Sequence, residues 1–181
     1  MKWIIASDIH GSAHWCRRLL EAFEREGADR LMLLGDILYH GPRNPLPEGY
    51  APAEVAAMLN SMSESICCVQ GNCDSQVDQM VLDFPIMADY ALLSYKERLI
   101  YFTHGHIHSS EQPPKLKKGD ILVHGHTHVS VCVDHGYYTY LNPGSASLPK
   151  AGYPHSYLVF ENGLFTWKDM DGTSFKSFEI Q

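Results

Sequence analysis

The spacing of apolar and polar positions divides the chain into two unlike halves. Trp3 to Ser7 is a short apolar run with β-branched residues, and from Gly11 onward Trp15, Leu19, Leu20 and Phe23 recur at helical spacing. Strand, turn and helix are predicted in that order. Gly27 is placed to close the helix, Arg30 to Leu34 is a second apolar run, and Gly35-Asp36 follows it at once. From Leu38 to Pro52 the composition shifts to Gly, Pro, Asn and His, which predicts an irregular segment long enough to act as a lid. A helix over 53–61 then leads to a strand over 66–70, which ends at Gly71-Asn72.

After Phe84 the pattern becomes hairpin-rich and predicts an antiparallel arrangement. Candidate strands cover 88–95, 99–103, 121–124, 129–134, 137–141, 156–161 and 164–170. Lys96-Glu97, Asp134-His135-Gly136 and Glu161-Asn162-Gly163 supply turns between some of them. A parallel βα half followed by a hairpin-rich half predicts one domain over residues 1–181. Its class is α/β, a four-layer α/β/β/α sandwich of two mixed sheets flanked by helices.

With 181 residues and 45% apolar content, the chain is long enough for a substantial core. The apolar start, Met1 to Ala6, is too short for a signal peptide, and no apolar run is long enough to cross a bilayer. A cytoplasmic protein with no membrane partner is the expectation, and a homo-oligomer is compatible with it. The five cysteines form no C-x-x-C pair, which fits free thiols in a reducing compartment. A net charge of -7 argues against stable nucleic-acid binding, since only Lys115-Leu116-Lys117-Lys118 gathers positive charge.

Short polar phrases follow the predicted strands: Asp8-Ile9-His10, Gly35-Asp36, Gly71-Asn72, His104-Gly105-His106 and His124-Gly125-His126-Thr127-His128. Carboxylate, imidazole and amide donors suit manganese, iron, cobalt, nickel or zinc better than calcium. Two divalent ions against the two carboxylates Asp8 and Asp36 leave net positive charge, which attracts a small anionic ester. Two ions about 3.5–4 Å apart can share a hydroxide and stabilise both the attacking and the leaving oxygen of an in-line displacement. Spacing alone does not choose among the histidines: 124, 126 and 128 share a face of a straight strand, as do 104, 106 and 108. Six of the eleven histidines fall between residues 104 and 128, a density that structural roles explain poorly.

These phrases resemble those of the calcineurin-like metallophosphoesterase superfamily, and the wording around them is similar to the bacterial YfcE-type phosphodiesterases. The resemblance runs from Ser7-Asp8-Ile9-His10-Gly11 to Asn142-Pro143-Gly144-Ser145 and includes Tyr39-His40-Gly41-Pro42-Arg43-Asn44-Pro45-Leu46-Pro47. It implies a metal-dependent phosphodiesterase holding two divalent ions, manganese being the first expectation. It also implies that Asp8, His10, Asp36 and His128 hold one ion, while Asp36, Asn72, His104 and His126 hold the other. His124 and His106 are then candidates for support behind the ligands, and the Asn142 loop for support of the site.

The chain departs from the superfamily pattern at two places. Many members have Gly-Asn-His where this chain has Gly71-Asn72-Cys73-Asp74, so a thiol replaces a candidate acid. Many phosphatases also carry an Asp-Arg pair after the second carboxylate, where this chain has His40-Gly41-Pro42-Arg43. His40 and Arg43 are therefore expected to contact the substrate phosphate, with His40 a partial substitute for the missing acid. A cysteine-nucleophile phosphatase would need an arginine shortly after Cys73, and 74–81 holds none. Competing functions are a phosphomonoesterase and a noncatalytic binding scaffold, the role of a eukaryotic retromer subunit of similar fold. Cys16, Cys67, Cys68 and Cys132 are expected to be buried apolar residues, and His135 and His155 to be on the surface.

Overall fold

The elements of the chain, taken from a computed structural model that describes residues 1–180, begin with β1 (Lys2–Ala6), α1 (Ala13–Glu26), β2 (Arg30–Leu33) and α2 (Pro52–Asn60). β3 (Ile66–Cys68), the short α3 (Gln76–Gln79), β4 (Ala91–Tyr95) and β5 (Arg98–Thr103) come next. The remainder is strand: β6 (Ile121–His124), β7 (Ser130–Asp134), β8 (Thr139–Pro143), β9 (Ser156–Glu161), β10 (Leu164–Asp169) and β11 (Ser174–Glu179). α1 starts where the Ser12 hydroxyl accepts from the Trp15 N–H at 3.1 Å, and it stops at Gly27, whose φ of 59° reverses the chain.

Two mixed sheets result. One has the order β11-β10-β9-β1-β2-β3 and the other β4-β5-β6-β8-β7. Alternation decides which face each side chain covers. Ile4, Leu31, Leu33 and Val159 point to α1 and α2, whereas Ile5, Met32, Leu158 and Phe160 meet Ile100, Phe102, Ile121, Val123 and Leu141 between the sheets. On the outer face of the second sheet, Tyr101, Leu122, Tyr138 and Tyr140 are covered by Leu116 from the irregular segment between β5 and β6. The α/β/β layers are as expected; irregular chain carrying Pro113 and Pro114, not helix, overlies the fourth side.

The second half is not uniformly antiparallel. β5 pairs parallel with β6, and β6 pairs parallel with β8. Parallel neighbours need a crossover of about a dozen or more residues, and 104–120 supplies one between β5 and β6. The turn at Asn162-Gly163, with φ of 51° and 87°, joins β9 to β10 as the sequence suggests. β11 and α3 were not predicted. β11 is an edge strand with most side chains exposed, and its two apolar residues, Phe175 and Phe178, lie three apart, which breaks the period-2 alternation of a strand. Cys16 and Cys68 are buried, whereas Cys67 and Cys132 are only half-buried.

Candidate metal centre

Each sheet contains three parallel strands, β1-β2-β3 in one and β5-β6-β8 in the other, and the polar phrases follow their carboxyl ends. Asp8 follows β1, Asp36 follows β2, Asn72 follows β3, His104 follows β5, and His126 and His128 follow β6. Backbone bonds hold these loops in register: Asp8 N–H donates to Gly35 O at 3.1 Å, His10 N–H to Asp36 O at 2.9 Å, and Ala146 N–H to Ser7 O at 2.9 Å. The ligand-bearing edge is thus a continuation of the sheet lattice.

Asp8, His10, Asp36, His126 and His128 all have φ between 50° and 65°, in the left-handed region. A non-glycine residue there costs about 1–3 kcal/mol, so five of them together mark a constrained site. Gly125 has a steric reason to be glycine. A Cβ there would lie 2.6 Å from Ser7 Cβ and 2.7 Å from Asp8 Oδ2, so a side chain would push the β6 loop off the β1 loop.

The imidazoles are oriented from behind. His10 Nδ1 lies 2.8 Å from Tyr39 O, His104 Nδ1 2.7 Å from Leu34 O, and His128 Nδ1 2.7 Å from Leu148 O. A carbonyl can only accept, so each Nδ1 carries the proton and each Nε2 presents its lone pair to the site. His10 Nε2 and His128 Nε2 stand 3.3 Å apart, with Asp8 Oδ1 at 3.6 and 3.3 Å from them. Asp36 Oδ2 lies 3.6 Å from His10 Nε2 and 3.5 Å from His104 Nε2. His104 Nε2 in turn meets Asn72 Oδ1 at 3.0 Å and His126 Nδ1 at 3.1 Å.

So many lone pairs facing one another call for shared positive charge. Among the described residues, Asp8 Oδ1 is buried with no hydrogen-bond donor, and the Asp8, His10 and His128 group could hold one ion. A second group, Asp8, Asp36 and His104, overlaps it. The donor set fits a borderline divalent metal. Electrostatics agree. Burial raises the Asp8 pKa, but the neighbouring His10, His128 and His104 imidazoles outweigh it and hold the carboxyl well below its usual value. Burial likewise lowers His10, yet the adjoining Asp8 carboxylate leaves it above the usual imidazole value.

A cavity of about 540 Å³ opens onto this edge, lined by Asp36, Asn72, Cys73, His126 and His128 together with Arg43 and Lys150. Cys73 donates its N–H to Asp36 Oδ1 at 2.8 Å. Burial first, and then the charges of Asp36 and Asp74, push its thiol up to about 12, so it is a neutral thiol and no nucleophile at neutral pH. Arg43 reaches the cavity, but the His40 ring is not part of its lining. That ring sits edge-on to Tyr39 and Tyr50, and the His40 carbonyl accepts from Asn44 Nδ2 at 2.9 Å. The segment over 38–52 is pinned beside α1: Ser12 Oγ donates to Glu48 O at 2.5 Å and Ala51 N–H to Gly11 O at 2.8 Å.

His124 is buried behind the site. It stacks on Tyr140 at 4.2 Å, accepts from Ser110 N–H at 3.1 Å, and is pushed down by burial to about 4. His106 is exposed, 5.4 Å from the His104 ring, and His108 turns its edge to Tyr101. His155 is not a free surface residue, because it stacks on Trp15 at 3.5 Å and its Nδ1 meets Ala146 O at 2.9 Å.

Three supports have little or no sequence signal. The buried Asp74 carboxylate accepts from Asp36 N–H at 2.8 Å, Ile37 N–H at 2.9 Å and Gly71 N–H at 2.7 Å, tying the β2 loop to the β3 loop. Asn142 Nδ2 donates to Gly125 O at 2.9 Å and to Thr127 Oγ1 at 3.0 Å, bracing the His126 and His128 loop. Ser145 and Ser147 hydroxyls each donate to Asp8 O at 2.9 Å. The phrase at 142–145 points to part of this; Asp74 and Ser147 belong to no pattern that spacing singles out.

Known proteins share this sequence and this fold. Residues 1–163 match the Calcineurin-like phosphoesterase superfamily domain. The chain is 48% identical over 166 residues to Phosphodiesterase YfcE of Escherichia coli strain K12, covering 92% of this chain and 90% of that protein. It is 28% identical over 180 residues to Probable metallophosphoesterase YsnB of Bacillus subtilis strain 168, covering 94% and 91%. The solved structure of the E. coli phosphoesterase YfcE superposes with a TM-score of 0.96 at 44% identity over 100% of both chains. Vps29 of Chaetomium thermophilum, at 15% identity and a TM-score of 0.64, shares the fold over 100% of both chains. By sequence and by fold, this chain belongs to the calcineurin-like phosphoesterase superfamily.

Proposed function

We propose that the chain is a metal-dependent phosphodiesterase acting on a small phosphodiester. The observation that carries this reading is the pair of overlapping donor groups with Asp36 Oδ2 between His10 and His104, an arrangement that suits two neighbouring ions. Asp8, His10, Asp36 and His128 would hold one ion, and Asp36, Asn72, His104 and His126 the other, with Asp36 bridging. Two divalent ions held there, manganese being the first candidate, would supply Lewis acidity and a shared hydroxide for in-line attack.

The chain's own residues supply the rest. Carbonyls behind His10, His104 and His128 lock their Nε2 lone pairs inward, so little reorganisation is needed. Arg43 is the cation placed to hold a phosphoryl oxygen. Cys73 contributes no charge and is a poor proton donor to an alkoxide, which favours esters with good leaving groups. His40 is assigned to shaping the loop that carries Arg43. The 48% identity to an E. coli phosphodiesterase supports diesters over monoesters.

Metal content after dialysis and a screen of metals against substrates test the proposal. Two ions per chain are expected, with bis(p-nitrophenyl) phosphate hydrolysed faster than p-nitrophenyl phosphate. Asp36→Asn should lower kcat/KM by about 100-fold or more, given that losing even a supporting contact costs 10–100-fold. A protein inactive with manganese, nickel and cobalt, or one that prefers the monoester, would overturn it. Arg43→Ala retaining full kcat/KM would remove that residue from the site.

A further inference from the structure

The cavity is larger than one phosphoryl group requires, and it contains a cation that metal binding and Arg43 leave unused. Lys150 lies beyond the family's metal phrases, in the segment joining β8 to β9. Its backbone N–H donates to His128 O at 3.0 Å, and its carbonyl accepts from Tyr153 N–H at 3.2 Å. The intervening Ala151 and Gly152 have φ of 55° and 75°, a tight turn that fixes the lysine's backbone beside His128. Among the described residues neither Lys150 nor Arg43 has a carboxylate at ion-pair distance, although the chain carries a charge of -7. In an acidic protein, two uncommitted cations opening on one cavity are what an anionic ligand needs.

We infer that Lys150 binds a second anionic group, carried on one alcohol arm of the diester, while Arg43 contacts the phosphoryl group being cleaved. The substrate class is therefore a phosphodiester with an additional phosphate or carboxylate on one arm. This rests on the phosphodiesterase reading above and adds its specificity. A lysine is a compact point charge with rotatable donors, so it suits a mobile terminal anion, whereas Arg43 can grip phosphoryl oxygens with two parallel donors.

The test uses p-nitrophenyl phosphodiesters that release the same leaving group and differ only in the second arm: 2-methoxyethyl, 2-carboxyethyl or 2-(phosphonooxy)ethyl. Wild type should favour an anionic arm over the methoxyethyl arm in kcat/KM, mainly through KM, and the better of the two anions names the group. Lys150→Gln should reduce that preference about tenfold, the scale of one charge-assisted hydrogen bond, while Lys150→Arg should keep most of it. Lys118→Gln, a surface lysine remote from the cavity, should leave the ratio as it is. Calorimetry with ethylene glycol bisphosphate, in wild type and in Lys150→Gln, gives a readout that does not depend on turnover. Equal rates on all arms in wild type, or a preference that survives Lys150→Gln, would overturn the inference alone. Failure to hydrolyse every arm would instead overturn the parent reading, and the calorimetric comparison would still decide Lys150.

Discussion

Cys73 stands where the resemblance to the superfamily implies a histidine in many members. Its thiol sits within 4.8 Å of donor atoms of His10 and Asp36, yet it stays protonated to about pH 12 because burial and the nearby carboxylates oppose a thiolate. An imidazole there would supply a proton donor that titrates near neutrality. Cys73→His should therefore raise kcat on diesters with poor leaving groups by about tenfold or more and change p-nitrophenyl esters little. No change on the poor leaving groups would show that position 73 does not limit proton donation. His155 gives a second prediction at this scale, on pH. Burial against Trp15 lowers its pKa below the usual value, so the unfolded chain takes up the proton first as pH falls through about 6.5. Its contribution is complete above that pH and is lost on acidification. The His155 ring resonance should titrate with a midpoint below 6.5 by NMR, and a midpoint at or above it would contradict the burial.

Between elements, Asp74 does what no single strand can do. Three backbone N–H groups from the ends of β2 and β3 converge on one buried carboxylate. Burial raises its pKa above the usual value, even though those three donors act the other way. Asp74→Ala would leave three buried donors unsatisfied. The expected destabilisation is about 3–5 kcal/mol in urea unfolding, together with weaker metal retention because Asp36 loses its anchor. A loss under 1 kcal/mol would mean that water replaces the carboxylate without penalty. The placing of a polar phrase after each strand of the first half was legible from sequence because each apolar run ends on or shortly before one. The pairing of β5 with β6 and of β6 with β8 was not, since local alternation fixes which side chains face inward but not which strand lies alongside.

Across the whole molecule, the metal edge joins loops from both sheets, so ion binding and global stability are coupled. Adding manganese to chelator-treated protein at about 100 times its dissociation constant should stabilise it by about 2.7 kcal/mol. For a chain of this length that is a rise in Tm of roughly 5–10 °C, and Asp36→Asn should abolish most of it. A Tm indifferent to metal would mean that the ions bind folded and unfolded chain alike. The sequence by itself determined the α/β class, the donor residue types and their placement after strands, because hydrophobic period and ligand chemistry are local properties. Spacing left open which histidines turn inward, because that depends on carbonyls of Tyr39, Leu34 and Leu148 that lie far away along the chain. Tertiary structure alone separated Arg43, which reaches the cavity, from His40, which packs between Tyr39 and Tyr50. Lys150 was invisible until the backbone of its turn met His128, for a lone lysine has no pattern and gains meaning only from what the fold sets beside it.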